Sequence, residues 1–506
     1  MTKLSVRAKL FWCFIFFWLI GINIFTLKEG HNWGGDFSQY IIHAQNIASH
    51  RPYVEGITLN PSVVYPPGFP FILSSFVAAV GVNLKIFKLI NVIFWFLSIL
   101  CFWSLFSKKM SHQGAFLCAL LLGSSSEFFV FKQNILSDIP FAFFVSLSLF
   151  LFMKYDEQGQ KEKSCVKNHF FWLLIGAMVS AFLTRTAGVV LFVSFISYSF
   201  LLRRGRIKDV LLTGGALCLA FIFQGYLIGI HPSAVNNIVN DPLSFLAAMG
   251  KNHSIVFSSM VRSFLPPVTL ASEFFLISMQ KILAFILWPL YCLIIWIVFR
   301  RIKHRTLTFA ECFLFFYILL LFVWSGHGVF NFVRFIIPVM GVILLVLAEL
   351  FQWMNNKFLQ KGSVSASLKG ISNIIVGGII VFNLWNIGVI FNFDDDVLEK
   401  KENKELFQWV IQNIPLDKHY LFDYERVMAL KTGRIGTSLR AILIDESAIE
   451  IPDFSKILNK KGVEYVVFSK LKDQAVLSVI GVNKNVDQYG LKFLWENNLY
   501  RIFQVI

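Results

Sequence analysis

The stretch LFWCFIFFWLIGINIFTL, Leu10–Leu27, decides the fold class of the chain. Its eighteen residues carry no charge, and a basic N-terminal segment precedes them. An apolar run of this length can cross the hydrocarbon core of a bilayer as one helix. It is too long for the core of a signal peptide, and no cleavage motif of small residues follows it. We therefore predict a retained first membrane helix.

Similar apolar runs recur along the chain, whose 506 residues are 56% hydrophobic and only 15% charged. The stretch FPFILSSFVAAVGV, residues 69–82, is shorter and follows a Pro-Pro-Gly turn, which favours a re-entrant or juxtamembrane helix. The composition therefore predicts a polytopic α-helical membrane protein. Hydropathy predicts about eleven spans, near residues 10–27, 86–107, 114–131, 139–153, 170–184, 187–202, 210–230, 275–299, 307–324, 335–352 and 371–392.

Basic residues determine the predicted orientation. They cluster in SKKMSH, KYDEQGQKEKSCVK, RRGRIK, RRIKHR and NNKFLQKGSVSASLK, which all fall on one side if residues 69–82 do not cross. An excess of Lys and Arg marks cytoplasmic loops. We therefore predict a cytoplasmic N-terminus, with loops 28–85 and 231–274 and the C-terminus outside. The net charge of +16 then needs no nucleic acid to explain it.

The sequence lacks the motifs of several common cofactor-binding and hydrolytic sites. The seven cysteines lie almost entirely in hydrophobic segments and form no CxxC pair, which argues against a disulfide framework or a zinc knuckle. Glycine-rich phosphate loops and the HExxH and GxSxG motifs are absent. We therefore predict no cofactor. Whether the protein requires a divalent metal ion is left open.

Residues 393–506 differ in character from the hydrophobic part, residues 1–392. ENKELFQWVIQNI has helical periodicity, while YLFD, AILID and EYVVFS have the composition of short strands. KFLWENNLYRIFQVI indicates a hairpin around Glu496-Asn497-Asn498. These patterns predict a small soluble α/β domain outside the membrane. It opens on Asp394-Asp395-Asp396, which suits a solvated membrane exit or a cation site.

Charged and polar side chains gather at the predicted outer ends of the spans. A single charge at a helix end is commonly interfacial, but charges at membrane depth are costly and tend to line cavities. Carboxylates and guanidiniums on one side of the membrane suit a lipid phosphate bound beside a general base. The residues concerned are Asp36, Lys132, Asp138, Arg185, His327 and Arg334.

An ordered series of motifs over about residues 1–350 resembles the GT-C glycosyltransferases. The series is GGDFSQYIIHAQNI, VVYPPGFPFILSS, NILSDIPFAFFVSL, LTRTAG and VRFIIPV. It is most similar to the group that contains protein O-mannosyltransferases and lipid A aminoarabinose transferases. LKTGRIG and GVEYVVFS in the tail resemble the external domains of bacterial members.

The resemblance implies an outward-facing active site and a polyprenyl-phosphate-linked sugar as donor. It implies that Asp36 is catalytic, that Asp138 lies at the catalytic site, and that Arg185 and Arg334 meet the donor phosphate. Tyr65 stands where the aminoarabinose transferases carry a lysine, which leaves the donor sugar and the acceptor open.

Four more residues complete the candidate site. We expect Lys132 to be another phosphate-binding cation. Tyr65, His43 and His327 are expected to shape the acceptor side, and His43 is also a rival base to Asp36.

Three functions remain in view. The first is an inverting glycosyltransferase (hexosyl or pentosyl) of the bacterial cytoplasmic membrane, with a lipid, glycan or protein acceptor. The second is a lipid or glycan transporter, for which ionisable groups at the bilayer midplane and repeated halves are typical. The third is a non-catalytic envelope assembly protein, in which Asp36 only caps a helix. The outer position of the charges favours the first.

Overall fold

The computed structural model describes residues 6–34, 36–54, 65–159, 167–202, 207–228, 256, 259–260, 263, 300–301, 303–304, 307–323, 329–348, 374, 376–388, 396–438, 458–470 and 490–506. The helices in this part of the chain are α1 (Val6–Phe25), α2 (Phe37–Ala48), α3 (Gly68–Val80), α4 (Leu84–Lys109), α5 (His112–Gly123), α6 (Ser126–Phe131), α7 (Asp138–Gly159), α8 (His169–Thr184), α9 (Val189–Leu202), α10 (Ile207–Ile228), α11 (Phe309–Val323), α12 (Val329–Ile336), α13 (Val376–Gly388), α14 (Lys401–Asn413) and α15 (Glu425–Thr432). The strands are β1 (Tyr420–Leu421), β2 (Gly436–Thr437), β3 (Tyr465–Ser469), β4 (Leu491–Glu496) and β5 (Tyr500–Val505).

The chain divides into two compact units. The membrane unit comprises Met1–Leu27, Pro66–Phe69 and Ile86–Phe393, and the α/β unit comprises Lys28–Tyr65, Pro70–Lys85 and Asp394–Ile506. The α/β unit therefore includes most of the first loop as well as the C-terminal residues. The predicted domain boundary between residues 392 and 393 remains a prediction.

The membrane unit is built from apolar helices. Among the described residues, four helical stretches are long and apolar enough to cross a membrane, namely Leu84–Lys109, His112–Phe131, Asp138–Gln158 and Ile207–Leu227. Shorter apolar helices accompany them, and α7 packs on α8 while α9 packs on α10 and α11. The predicted helical membrane fold is confirmed. The count of about eleven spans remains a prediction, and the predicted span 275–299 lies outside the described residues.

The third predicted span, residues 114–131, contains a break that the hydropathy pattern did not indicate. Helix α5 ends before Ser124, and α6 starts at Ser126. The Ser125 hydroxyl accepts a hydrogen bond from the Phe128 backbone N–H at 3.2 Å, which is the bond of an N-cap. A serine can thus start a new helix inside an apolar run. Lys132 follows at the end of α6.

The α/β unit contains a five-stranded sheet in the order β2-β1-β3-β5-β4. Strands β1, β2 and β3 are parallel, while β5 runs antiparallel to both β3 and β4. The sheet's buried side chains include Tyr420, Val466 and Phe503. The predicted strands at residues 420–423 and 464–469 and the predicted helix at 402–414 are confirmed within a few residues. The predicted strand AILID lies outside the described residues.

The predicted hairpin around Asn497 is also confirmed. The Asn497 side-chain oxygen accepts hydrogen bonds from the backbone N–H groups of Leu499 and Tyr500, both at 2.9 Å. These bonds satisfy two backbone donors at the point where the chain reverses. Helix α15 and strand β2 were not predicted from the sequence.

Candidate active site

Asp138 is the centre of a three-residue ion cluster in the membrane unit. Its side chain is only 1% exposed, and each carboxylate oxygen accepts a hydrogen bond from a different arginine. The Arg334 Nε donates to Oδ2 at 2.7 Å, and Arg185 Nη1 donates to Oδ1. A buried carboxylate requires such partners, because an unpaired charge away from water is costly. Two positive groups on one negative group leave the cluster with a net positive charge.

Helix ends hold this cluster in place. Asp138 is the first residue of α7, where the helix dipole favours an acidic side chain. Arg185 follows the last residue of α8 in an extended conformation, with φ −149° and ψ 134°. The chain then makes a short 3-10 turn, Thr186–Gly188, before α9 begins. The motif LTRTAG is therefore the corner between two short helices, as predicted, with Arg185 at its start.

Two glycines allow the chain to approach the end of α8 closely. A Cβ on Gly188 would lie 2.4 Å from the backbone nitrogen of Phe182, and a Cβ on Gly68 would lie 2.7 Å from the Leu183 carbonyl oxygen. Real Cβ atoms do not come this near to backbone, so both positions require glycine. The final glycines of LTRTAG and YPPG thus pack the chain against the helix turn that precedes Arg185.

Phe335 links the two arginines of the cluster. Its ring centroid lies 5.0 Å from the Arg185 Cζ and 5.9 Å from the Arg334 Cζ, within the range of cation–π contacts. The buried Tyr317 hydroxyl donates a hydrogen bond to the Phe335 carbonyl at 2.9 Å. Neither Phe335 nor Tyr317 was expected from the sequence. The only hint of this contact in the sequence was the aromatic residue directly after Arg334 in VRFIIPV.

Lys132 has a different set of contacts. Its side chain is fully buried, and the ammonium donates to the carbonyl and side-chain oxygens of Asn23, both at 3.1 Å, and to the Thr26 hydroxyl. It also lies 3.6 Å from the ring centroid of Phe129. These contacts join α6 to the end of α1. The expected contact of Lys132 with a donor phosphate remains a prediction.

Asp36 lies in the α/β unit, at the N-cap position of α2. Within the described residues its side chain makes no capping hydrogen bond to that helix. The carboxylate instead accepts a hydrogen bond from the Tyr65 hydroxyl. Burial raises the pKa of Tyr65, and the Asp36 charge raises it further, so the hydroxyl stays protonated and able to donate. Asp36 and Tyr65, both predicted site residues, are therefore in contact.

Aromatic side chains surround this pair. The Tyr40 ring meets the Tyr65 ring edge to face, with centroids 4.9 Å apart. His43, only 1% exposed, stacks on Tyr53 at 4.3 Å, and burial lowers the pKa of His43 to about 4. A neutral histidine at physiological pH can accept a proton only weakly. Its role as a rival base remains a prediction.

The first loop is anchored on the C-terminal part of the α/β unit through Trp33. The indole stacks on Tyr424 at a centroid distance of 5.2 Å and also meets Phe407 and Phe422. The Leu398 N–H donates to the His31 carbonyl at 3.0 Å. The tryptophan beside the two glycines of NWGGD was the only sequence signal for this contact, and it was missed.

A second anchor is the packing of α2 on α15. Arg426, near the start of α15, acts electrostatically on the Tyr65 hydroxyl and opposes the rise of its pKa. Sequence reasoning missed this residue too, because its neighbours FDYER carry no motif that points to a site.

Asp396 belongs to the same anchor. Its carboxylate accepts a hydrogen bond from the Gly30 N–H at 3.0 Å, which gives one residue of the Asp394-Asp395-Asp396 run a structural contact. Asp394, Asp395 and the predicted site residue His327 lie outside the described residues. Among the described residues, no group of three or more His, Cys, Asp or Glu side chains could hold a metal ion. The expectation of no cofactor remains a prediction.

The helical membrane unit, the small sheet and the ordered motifs together define a membrane protein with the fold of the GT-C glycosyltransferases. Residues 6–235 match the family described as dolichyl-phosphate-mannose-protein mannosyltransferase. No curated protein sequence matches the chain significantly.

Solved structures of two kinds share this fold. The crystal structure of ArnT from Cupriavidus metallidurans in the apo state has a TM-score of 0.57 and 13% identity, and the match covers 99% of this chain and 98% of that chain. ArnT bound to undecaprenyl phosphate gives a TM-score of 0.57 at 12% identity, over 99% of both chains. The Archaeoglobus fulgidus oligosaccharyltransferase in the apo form gives 0.60 at 12% identity, over 97% of this chain and 74% of that chain. The predicted GT-C resemblance is confirmed.

Proposed function

We propose that the protein is a membrane glycosyltransferase that moves a sugar from a polyprenyl-phosphate donor to an acceptor hydroxyl on the extracytoplasmic face, with inversion. The observation that carries the proposal is the pair of guanidiniums, Arg185 and Arg334, held by one buried carboxylate, Asp138. The net positive charge of this cluster suits a phosphate. The likeness to ArnT, which was crystallised with undecaprenyl phosphate, supports a lipid phosphate as the ligand.

In the proposed reaction the acceptor oxygen attacks the first carbon of the sugar. Its proton passes to the Asp36 carboxylate, a new carbon–oxygen bond forms, and the bond between the sugar carbon and the phosphate oxygen breaks. The electron pair leaves with polyprenyl phosphate. Arg185 and Arg334 stabilise the leaving phosphate by charge-assisted hydrogen bonds. Attack on the side opposite to the leaving group inverts the sugar carbon.

Asp138 has a supporting part in this scheme. Because it holds both guanidiniums, it fixes the direction of their donors before the phosphate arrives, and such preorganisation lowers the cost of stabilising the developing charge. The resemblance implies that Asp138 lies at the catalytic site. In the proposed reaction it contributes there indirectly, by orienting Arg185 and Arg334.

The test uses the full-length protein in phospholipid vesicles. The donors are undecaprenyl phosphates that carry radiolabelled hexoses or pentoses, and the acceptor is an envelope extract, with its lipids, glycans and proteins, from a strain in which the gene for this protein is deleted. We expect one donor to pass its label to the extract while undecaprenyl phosphate accumulates. Label that remains on the lipid with every sugar would overturn the proposal. Movement of intact donor across the vesicle membrane without transfer would favour a flippase instead.

A further inference from the structure

The Asp36 carboxylate and the Tyr65 hydroxyl come from two separate parts of the first loop. Asp36 lies just before α2, while Tyr65 lies just before the two prolines that lead into α3. Their hydrogen bond replaces the capping bond that an aspartate at this position ordinarily makes. The Tyr65 hydroxyl, from a separate part of the chain, therefore helps to orient the side chain of Asp36.

Tyr65 is itself held in place from two sides. Its backbone carbonyl accepts a hydrogen bond from the Tyr53 hydroxyl at 3.0 Å. Its ring meets that of Tyr40, whose N–H donates to the Asp36 carbonyl at 3.2 Å. The same short segment of α2 thus touches both members of the pair, so their relative position is fixed by packing.

Among the described residues, polar and charged groups near the pair come from three segments. Tyr40 and His43 belong to α2, Tyr53 to the first loop, and Glu425 and Arg426 to α15, with the Arg426 Nε 3.7 Å from the Glu425 carboxylate. The hydroxyl of Tyr65 donates a hydrogen bond to Asp36.

We propose that Tyr65 is a positioning residue that aims the Asp36 carboxylate and keeps it ionised. This inference rests on the proposed function, in which Asp36 accepts the proton of the acceptor hydroxyl. A hydrogen bond donated to a carboxylate favours its ionised form over its protonated form. The bond also occupies one lone pair, which leaves the carboxylate a defined direction toward the acceptor. Tyr65 thereby acts through Asp36 without touching the reacting atoms.

The test is the pH dependence of turnover in Tyr65→Phe, measured with the full-length protein in vesicles and the sugar donor that supports transfer. The acid limb of a kcat profile reports the base in the enzyme–substrate complex. Without the hydroxyl, we expect this limb to move upward by about one to two pH units. Turnover on the plateau should fall about tenfold, because the carboxylate is no longer held in its productive orientation. The KM for the donor should change less than about twofold. A fall in kcat without a change in KM indicates that a step after donor binding is affected.

Tyr53→Phe is the matched control. It removes a hydroxyl from the same loop and the hydrogen bond to the Tyr65 carbonyl, but not the bond to Asp36. We expect its acid limb to stay at the wild-type position. The melting temperatures of both variants show whether either has lost folded protein.

Further results distinguish a failure of the positioning role of Tyr65 from a failure of the proposed function. If Asp36→Asn destroys turnover but Tyr65→Phe leaves the acid limb in place, the positioning role is wrong and the proposed function stands. An equal shift of the limb in Tyr53→Phe would likewise assign the effect to loop packing and refute the role of the hydroxyl. If no donor supports transfer by the wild-type protein, the proposed function itself fails.

Discussion

Asp36 can be distinguished from a helix cap by one substitution. Asn caps a helix as well as Asp does, so a cap predicts little change in Asp36→Asn, and even a lost cap costs only about 0.5–2 kcal/mol. A general base contributes about 10²- to 10⁴-fold. Because the carboxylate bonds to Tyr65 and makes no capping hydrogen bond to α2, we expect turnover to fall at least about a hundredfold. Binding of undecaprenyl phosphate to the variant in vesicles should persist. Normal turnover would leave Asp36 without a catalytic role.

Arg334 should depend on both its positive charge and its planar guanidinium for binding the donor phosphate. A charge-assisted bond to phosphate is worth about 1.5–3 kcal/mol. Arg334→Lys keeps the charge but loses the planar fork, so it should retain part of the undecaprenyl phosphate affinity, whereas Arg334→Ala should lose about tenfold or more. The loss of one of two partners of Asp138 also weakens the cluster. Affinities are therefore compared at equal amounts of folded protein, and equal values in all three proteins would remove Arg334 from the phosphate site.

His43 should make the folded protein sensitive to acid. Burial lowers the pKa of His43 from 6.5 to about 4, so between these values the unfolded chain binds a proton that the folded chain does not. Stability that is present above pH 6.5 should decline as the pH falls toward 4, by up to about 3 kcal/mol. His43→Gln should flatten this decline in thermal unfolding between pH 4 and 8.

The matched control for that experiment is His50→Gln, since the His50 side chain is exposed near the end of the same helix. Its unfolding should keep the wild-type dependence on pH. A wild-type protein whose stability is constant from pH 6.5 to 4 would contradict the assignment to His43.

At the scale of elements, the sequence predicted what periodicity and turn chemistry encode. The apolar runs became helices, the hairpin formed around Asn497, and the residues after the Pro-Pro-Gly turn formed the short helix α3. The break at Ser125 was missed because a capping serine does not lower the mean hydropathy of an apolar run. Helix α15 was missed because its eight residues are too few for a clear period.

The corner between α8 and α9 carries Arg185, so its geometry should control donor binding. In Gly188→Ala the new methyl group would meet the backbone of Ala181 and Phe182 at 2.4–2.6 Å, and the corner would have to move. We expect a loss of about 1–3 kcal/mol in stability from the overpacking, together with weaker binding of undecaprenyl phosphate.

Gly176→Ala is the control for this substitution. Gly176 lies in α8, the helix that ends just before Arg185, and a Cβ there would meet no described atom within 4 Å. It should bind undecaprenyl phosphate like the wild type and be as stable or slightly more so, because alanine favours helix over glycine. If Gly188→Ala binds undecaprenyl phosphate as Gly176→Ala does, the corner does not position Arg185 for the phosphate.

At the scale of the whole molecule, the candidate site was predictable only as a set of residue types on one side of a membrane. The order of the motifs indicated Asp36, Asp138, Arg185 and Arg334. In the structure the last three form one cluster, in which Asp138 makes an ion pair with each arginine. The contacts of Trp33 with distant aromatic residues could not be predicted, because they join positions almost four hundred residues apart and follow no local period. Packing between distant segments is decided by shape, which a single sequence does not display.

The orientation of the whole chain is the prediction on which the proposed chemistry depends. The donor of the proposed reaction is a lipid phosphate, and a lipid carrier is needed where nucleotide sugars are absent, on the outer side of the membrane. Basic clusters on one side of the predicted spans favour a cytoplasmic N-terminus.

Reporter fusions after residues 230 and 400 should therefore be active outside the cytoplasm, and fusions after residues 206 and 303 should be active inside. The paired reporters control for expression, since each fusion must be active on one side and silent on the other. A reporter after residue 400 that is active in the cytoplasm would move Asp36, which shares a compact unit with the C-terminal residues, to the side where this donor is not required.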